Sequence, residues 1–218
     1  MNVNNFIKYT FLINLFLFYS CKTPVTDNKE EENTYQIISY ILNNFREMPE
    51  LFPSFPPPPN GKEYTYTIQD SLQTYKYTYE EKIRKKTIAF LPKTFILEKE
   101  NMIRRLKIVN ECTNDKDLIN SFLKSEKSIE IDIKKIANLA NDSLIYYTEK
   151  HEKMLGKGFL DIDILLNFSN IIFNKDYTKA LLIIGISHGR LDGFSTLIYL
   201  EKKHYHWQII CEKAVSIS

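Results

Sequence analysis

Apolar and polar positions fall into segments of different period along the chain. Phe11-Leu12-Ile13-Asn14-Leu15-Phe16-Leu17-Phe18 is a short apolar run without charge. A membrane-crossing helix needs about 20 apolar residues to cover about 30 Å of hydrocarbon. This run is shorter even when extended from Phe6 to Tyr19, and that stretch contains Lys8 and Asn14. Its length and position match the apolar centre of a secretory signal spanning residues 1–20. Residues 22–33 are polar and contain no aromatic side chain, so nothing there offsets the entropy of ordering, and 21–33 is predicted to be a flexible tether. Asn33 then stands as a helix N-cap with Gln36 three residues on. Tyr35, Ile38, Ile41, Leu42 and Phe45 follow on one helical face, and Pro49 closes the region.

Pro56-Pro57-Pro58-Pro59-Asn60-Gly61 makes residues 49–61 a stiff polyproline connector ending in a turn. Tyr64 to Ile68 alternates as a strand. Asp70-Ser71-Leu72-Gln73 resembles a capping box, with Leu72, Tyr75, Tyr79 and Ile83 at helical spacing, although Tyr75, Tyr77 and Tyr79 equally suit a hairpin. Short strands are predicted at Thr87 to Leu91, Leu106 to Val109, Ile129 to Ile133 and Leu144 to Tyr147, and a short helix from Asp115 to Leu123. Four β-rich runs close the chain: Phe168 to Phe173, Ala180 to Ile186, Phe194 to Leu200 and Trp207 to Cys211. Their connectors permit hairpins but cannot hold crossover helices. The expected fold is therefore α+β, a single domain over residues 34–218. An N-terminal helix and a mixed middle region pack on a C-terminal antiparallel β-meander.

Composition narrows the function classes. The chain has 218 residues, with 29 Lys and Arg against 27 Asp and Glu, a formal charge of +2. Nucleic-acid binding is not expected from so even a balance, because phosphate neutralisation needs a concentrated basic face. A hydrophobic content of 44 % with 13 % aromatics supplies a packed core.

Phe18-Tyr19-Ser20-Cys21 resembles a bacterial lipobox. The resemblance implies cleavage before Cys21, a diacylglycerol on its sulfur and an acyl chain on its new amino group. Such an anchor holds stably, whereas a single acyl chain gives only marginal binding. The implied partner is a membrane reached through lipid, in the bacterial envelope, and Lys22 after the cysteine resembles the pattern of outer-membrane sorting. Glu30-Glu31-Glu32 is read as solvated spacer, too far from Cys21 for an acidic export signal. Phe173-Asn174-Lys175-Asp176, Lys179-Ala180-Leu181, Leu200-Glu201-Lys202-Lys203 and Trp207 resemble the tail of uncharacterised Bacteroidota-type lipoproteins. That resemblance covers about a quarter of the chain, describes hairpins rather than chemistry, and implies no activity. The segment from Ser187 to Gly193 lacks the cysteines, and His204-Tyr205 replaces the Asn-Gly turn, of that pattern.

With Cys21 set aside, Cys112 and Cys211 remain, free to form one bridge or to act as separate small core residues. Gly185-Ile186-Ser187-His188-Gly189 matches the G-x-S-x-G nucleophile elbow. After Ser187, Asp192 is the sole Asp, and the remaining chain is too short for further β/α units, so hairpin shaping is the preferred reading. A hydrolase using the Ser187-His188 loop, or the carboxylates of Asp161 and Asp163 on one strand face, is the alternative to a non-enzymatic binding or structural module. His204 and His206 lack a third ligand nearby, and His151-Glu152 lacks the second histidine of H-E-x-x-H, so no metal is expected. Gly156-Lys157-Gly158 lacks the rest of a phosphate loop, and no cofactor is expected either. Asp70-Ser71-Leu72 and Asp142-Ser143-Leu144 resemble the short acceptor of bacterial O-glycosylation. The protein or glycan partner is not specified by these patterns.

Overall fold

A computed structural model describes residues 25–44, 83–97, 102–154, 161–189 and 192–217. Cys21, the proline-rich connector, the elements expected between 64 and 82, and Gly156-Lys157-Gly158 lie outside the described residues. The chain divides into two compact units, Met1–Asn33 and Thr34–Ser218.

In the first unit, residues 25–33 are helical rather than a flexible tether, because helix α1 runs Val25–Asn44 and starts well before the expected cap. Lys29 and Glu30-Glu31-Glu32 are strong helix formers, and this local preference outweighs their polarity. Asn33 does not cap, because its Nδ2 donates back to the Lys29 carbonyl at 2.7 Å inside the helix.

Among the described residues the second unit is built on seven strands. They are β1 (Thr87–Phe90), β2 (Ser143–Tyr146), β3 (Ile164–Phe168), β4 (Ile172–Phe173), β5 (Lys179–Gly189), β6 (Asp192–Lys203) and β7 (His206–Ile217). The sheet order is β2-β1-β3-β5-β6-β7, with β4 paired to β5 off that path. Strands β3, β5, β6 and β7 are antiparallel neighbours, the expected meander. It extends into a mixed sheet, because β1 pairs parallel with both β3 and β2. Between the strands lie α2 (Met102–Cys112), α3 (Lys116–Lys124) and α4 (Glu149–Met154).

Alternation gives each strand two faces. One face presents Ile88 and Phe90, Ile164, Leu166 and Phe168, Leu182 and Ile184, and Ile198 and Leu200 to the α1 residues Ile37, Ile38, Ile41 and Leu42. The rings of Phe90 and Phe168 stack at 6.1 Å. Each such buried side chain stabilises the fold by roughly 1.5–3 kcal/mol before entropy is counted. The opposite face presents Leu181, Ile183, Leu197 and Tyr199 to Val109 of α2 and Leu118, Ile119 and Phe122 of α3. Asp115 caps α3 by accepting the Leu118 N–H at 3.2 Å. Cys112, the last residue of α2, is disulfide-bonded to Cys211 on β7, with a Cα–Cα distance of 5.4 Å.

Three expected strands differ. Leu106 to Val109 lies inside α2, whose inward face runs through Arg105, Ile108, Val109 and Cys112 at helical spacing, while Leu106 is exposed. Ile129 to Ile133 forms only one bridge, between Glu130 and Lys93. Asp132 then accepts the Lys134 N–H and turns the chain into a 3₁₀ turn over Ile133–Lys135. Phe168 to Phe173 is two strands, because at buried Ser169 the hydroxyl takes the place of a backbone carbonyl in accepting the Ile183 N–H of β5, and at Asn170 the side-chain Oδ1 accepts from Thr94.

The β6–β7 turn uses His204 at φ 49° and Tyr205 at φ 69°, both left-handed, the geometry that Asn-Gly ordinarily supplies. Strand β7 is a sheet edge carrying two bulges against β6, which break the regularity that edge-to-edge pairing needs.

Candidate functional site

The two helix-bearing regions treat the second face unequally. Along β5, residues on that face read Leu181, Ile183, Gly185, Ser187. Their β6 partners read Tyr199, Leu197, Ser195, Gly193. The large apolar half lies under α2 and α3. The Gly and Ser half has little apolar area to gain from burial, and none of the described helices packs over it. A groove of about 340 Å³ sits over it, with Asn167, Gly185, Ser187, Gly193, Ser195 and Ser216 among its polar or small residues and Phe95 and Leu165 among its apolar ones. None of the described lining residues carries a titratable side chain.

Register fixes this constellation. Asn167 stands opposite Gly185, and Gly185 opposite Ser195, which pairs with Ser216. The hydroxyls of Ser195 and Ser216 are hydrogen-bonded at 2.6 Å. Phe95 is held beside the groove by donating its N–H to the Phe168 carbonyl at 2.9 Å. The carboxamide of Asn167 lies flat on Gly185, where a Cβ would stand 2.0 Å from Asn167 Oδ1. That oxygen is shielded from solvent and has no hydrogen-bond partner. Burying an unpaired amide oxygen costs roughly 1–3 kcal/mol.

The sequence-derived candidates distribute as follows. Ser187 lines the groove, but it sits inside β5, opposite Gly193 and Leu165, rather than on a strand-to-helix elbow. Asp161 and Asp163 do not share a strand face, because both precede β3 in irregular chain. Asp161 is exposed, and Asp163 ties β1 to the start of β3: Oδ2 accepts the Thr87 N–H at 2.7 Å and Oδ1 meets Arg84 at 2.8 Å. Burial pushes the Asp163 carboxyl up, but Arg84 and the Thr87 N–H outweigh it and hold it below the ordinary carboxylate value, the wrong direction for a general acid. His204 and His206 belong to the β6–β7 turn and the first position of β7. His151 lies in α4, where its Nδ1 accepts the N–H of Thr148 just before the helix at 3.0 Å. Among the described residues no group of three His, Cys, Asp or Glu side chains is placed to hold a metal. Asp142 is buried, accepting the Lys86 N–H at 2.8 Å, while Ser143 begins the opposite edge strand β2.

A polar cluster at the far end of β5 and β6 is internally paired. Asp115 meets Lys179 at 3.2 Å, and Tyr199 donates to Glu201 at 2.6 Å. The Leu118 N–H, then Lys179, hold Asp115 below its ordinary value against some burial. Burial and the bond to Glu201 push the Tyr199 phenol up to about 12.

Asn167, Gly185, Ser195 and Ser216 are the site residues that motif reading missed. The available signal was paired: a glycine and a serine on one face of β5, met by a serine and a glycine at the matching level of β6. Glycine inside a strand marks a bulge or a close approach. No protein-family profile matches the chain, and neither the curated proteins nor the solved structures return a match.

Proposed function

We propose that the chain is a lipid-anchored cell-envelope protein of the Bacteroidota type, held to the outer membrane through Cys21, whose α+β domain is a non-enzymatic binding module working through the groove. The anchor is supported by the uncharged run from Phe11 to Phe18 followed by Ser20-Cys21. Among the described residues no helix is long and apolar enough to cross a membrane. The Cys112–Cys211 bridge suits an oxidising compartment outside the cytosol.

The observation that carries the binding reading is the neutral lining of the groove. A nucleophilic serine needs a base within about 2.6–3.2 Å. Ser187 stands within β5, paired on both sides with β3 and β6 rather than on a strand-to-helix elbow, and Asp163 is engaged with Arg84 and Thr87. That disfavours the envelope-hydrolase alternative and favours recognition without chemistry. Feeding cells a clickable fatty acid tests the anchor: label is expected on the wild type and absent from Cys21→Ser. Equal label on both removes the anchor. Ester hydrolysis by the purified protein that disappears in Ser187→Ala replaces the binding reading with the hydrolase.

A further inference from the structure

Resting on the reading of Cys21 as a lipid anchor, we infer that the β4–β5 and β6–β7 turns dock on the anionic phospholipid surface of the membrane that holds the anchor, with Tyr205 seated at the headgroup level. The two turns stand side by side at one end of the sheet, because the Lys202 N–H donates to the Thr178 carbonyl at 2.7 Å. Tyr205, at the tip of the β6–β7 turn, is 92 % exposed, and His204 and His206 beside it are exposed as well. An apolar ring that ends in a hydroxyl suits the boundary between hydrocarbon and water. Tyr177 at φ 57°, like His204 and Tyr205, is left-handed, a region that glycine or asparagine takes at less cost. The sequence thus keeps bulky rings at the tips against the preference of the backbone, and strain of that kind points to a use outside the fold.

Charge identifies the surface that the tips fit. Over 174–178 and 202–206, Lys175, Lys202 and Lys203 are positive and only Asp176 is negative, whereas the whole chain carries only +2. Glu201, just before the second turn, is engaged by the Tyr199 hydroxyl. Lys175 and Lys203 are exposed. Lys202 is half-buried, its Nζ 5.3 Å from the centre of the Trp207 ring and donating to Gln36 Oε1 at 3.2 Å. Phe173 lies between Tyr177 at 5.4 Å and Trp207 at 5.9 Å, a packed aromatic base that holds both turns in place. Each lysine brought to an anionic leaflet raises the ratio of docked to undocked protein roughly fivefold.

The place where the chain enters supplies the second observation. The second unit begins at Thr34, and Gln36 meets Lys202 at the end of the sheet that carries the tips. Helical rise over 25–34 and full extension over 21–25 give a reach from Cys21 of at most about 30 Å. Strands β6 and β7, 12 residues each, are about 40 Å long. A tether shorter than the strands holds the entry end towards the bilayer, and the tips with it. The opposite end, where Leu139 stands 84 % exposed ahead of β2, is turned away.

The test uses the full lipidated chain in vesicles of phosphatidylcholine with about one-third phosphatidylglycerol, brominated near the headgroup to quench tryptophan fluorescence. Tyr205→Trp reports on the tips and Leu139→Trp on the opposite end, while the wild type gives the background of buried Trp207. These positions are exposed, so the substitutions leave the core intact. The expected result is quenching of Tyr205→Trp and only background in Leu139→Trp. Adding Lys175→Ala and Lys203→Ala to Tyr205→Trp, or using phosphatidylcholine alone, should lower the docked ratio about tenfold or more. Equal quenching at both positions, or none at either, overturns the docking, while a clickable fatty acid found on Cys21 leaves the anchor standing. Absence of that label removes the anchor and the inference with it. Quenching of Tyr205→Trp that is indifferent to the lysines and to lipid charge overturns the anionic surface. A blue shift of Tyr205→Trp that grows with the number of copies per vesicle assigns the tips to a second copy and overturns the lipid assignment.

Discussion

Removing the Cys112–Cys211 bridge is expected to cost about as much as truncating a large core side chain. The two cysteines are 99 residues apart in sequence, and the closed segment contains α3, β2, α4 and β3 to β6. In the chain-entropy treatment, a loop of about 100 residues that is no longer closed returns about 4.7 kcal/mol of freedom to the unfolded chain at 25 °C, and measured bridges commonly deliver about 2–4. The native side adds little to this figure, since both cysteines are only partly buried and β7 remains paired with β6 in the absence of the bond. With a urea dependence of roughly 2 kcal/mol per molar, a loss of about 4 kcal/mol moves the unfolding midpoint down by about 2 M. The assay is urea unfolding followed by the fluorescence of Trp207, with and without reductant, on the wild type, Cys112→Ala, Cys211→Ala and the double variant. Each single variant should lose nearly as much as the double, because removing either sulfur destroys the same bond. Single-variant losses that sum to the double, or a wild-type midpoint indifferent to reductant, refute the reasoning.

Two further perturbations probe the sheet. Gly185→Ala places a methyl group on Asn167 and should cost about 1–3 kcal/mol as overpacking; in the Asn167→Ala background the same change should be close to neutral, and additive losses in a denaturation cycle count against the stacked arrangement. Because Arg84 and the Thr87 N–H hold the Asp163 carboxyl below its ordinary value, its contribution is present above that value and fades as pH falls through the lower folded one. Asp163→Asn should therefore flatten the acid side of the stability profile at and below the ordinary carboxylate range, and an unchanged acid limb contradicts the clamp.

The meander was legible because each strand announced itself through β-branched runs and short polar turns. The parallel addition of β1 and β2 was not, since no local pattern states which distant strand a segment pairs with. The strand expected at Leu106 to Val109 failed for a related reason. Ile108 and Val109 suit either state, and the choice was made by Ile108, Val109 and Cys112 meeting a sheet built from strands elsewhere in the chain. The start of α1 was missed because polarity was taken as looseness, although Glu and Lys are good helix formers. The groove escaped because it has no motif. It is a register coincidence among β3, β5, β6 and β7, visible only once the strands are aligned.

The mixed sheet also bears on how the molecule is made. Ribosomes deliver a chain from its first residue onwards, so Ile37, Ile41, Ile88 and Phe90 emerge long before β3, β5 and β6, the strands that complete their core. The early half must therefore wait, sticky and unpartnered, until the last hairpins exist to receive it. A nascent chain halted before Ile164 has only the β1–β2 pair and none of the strands that complete the core around Ile88 and Phe90, and chaperone dependence should be concentrated in that interval.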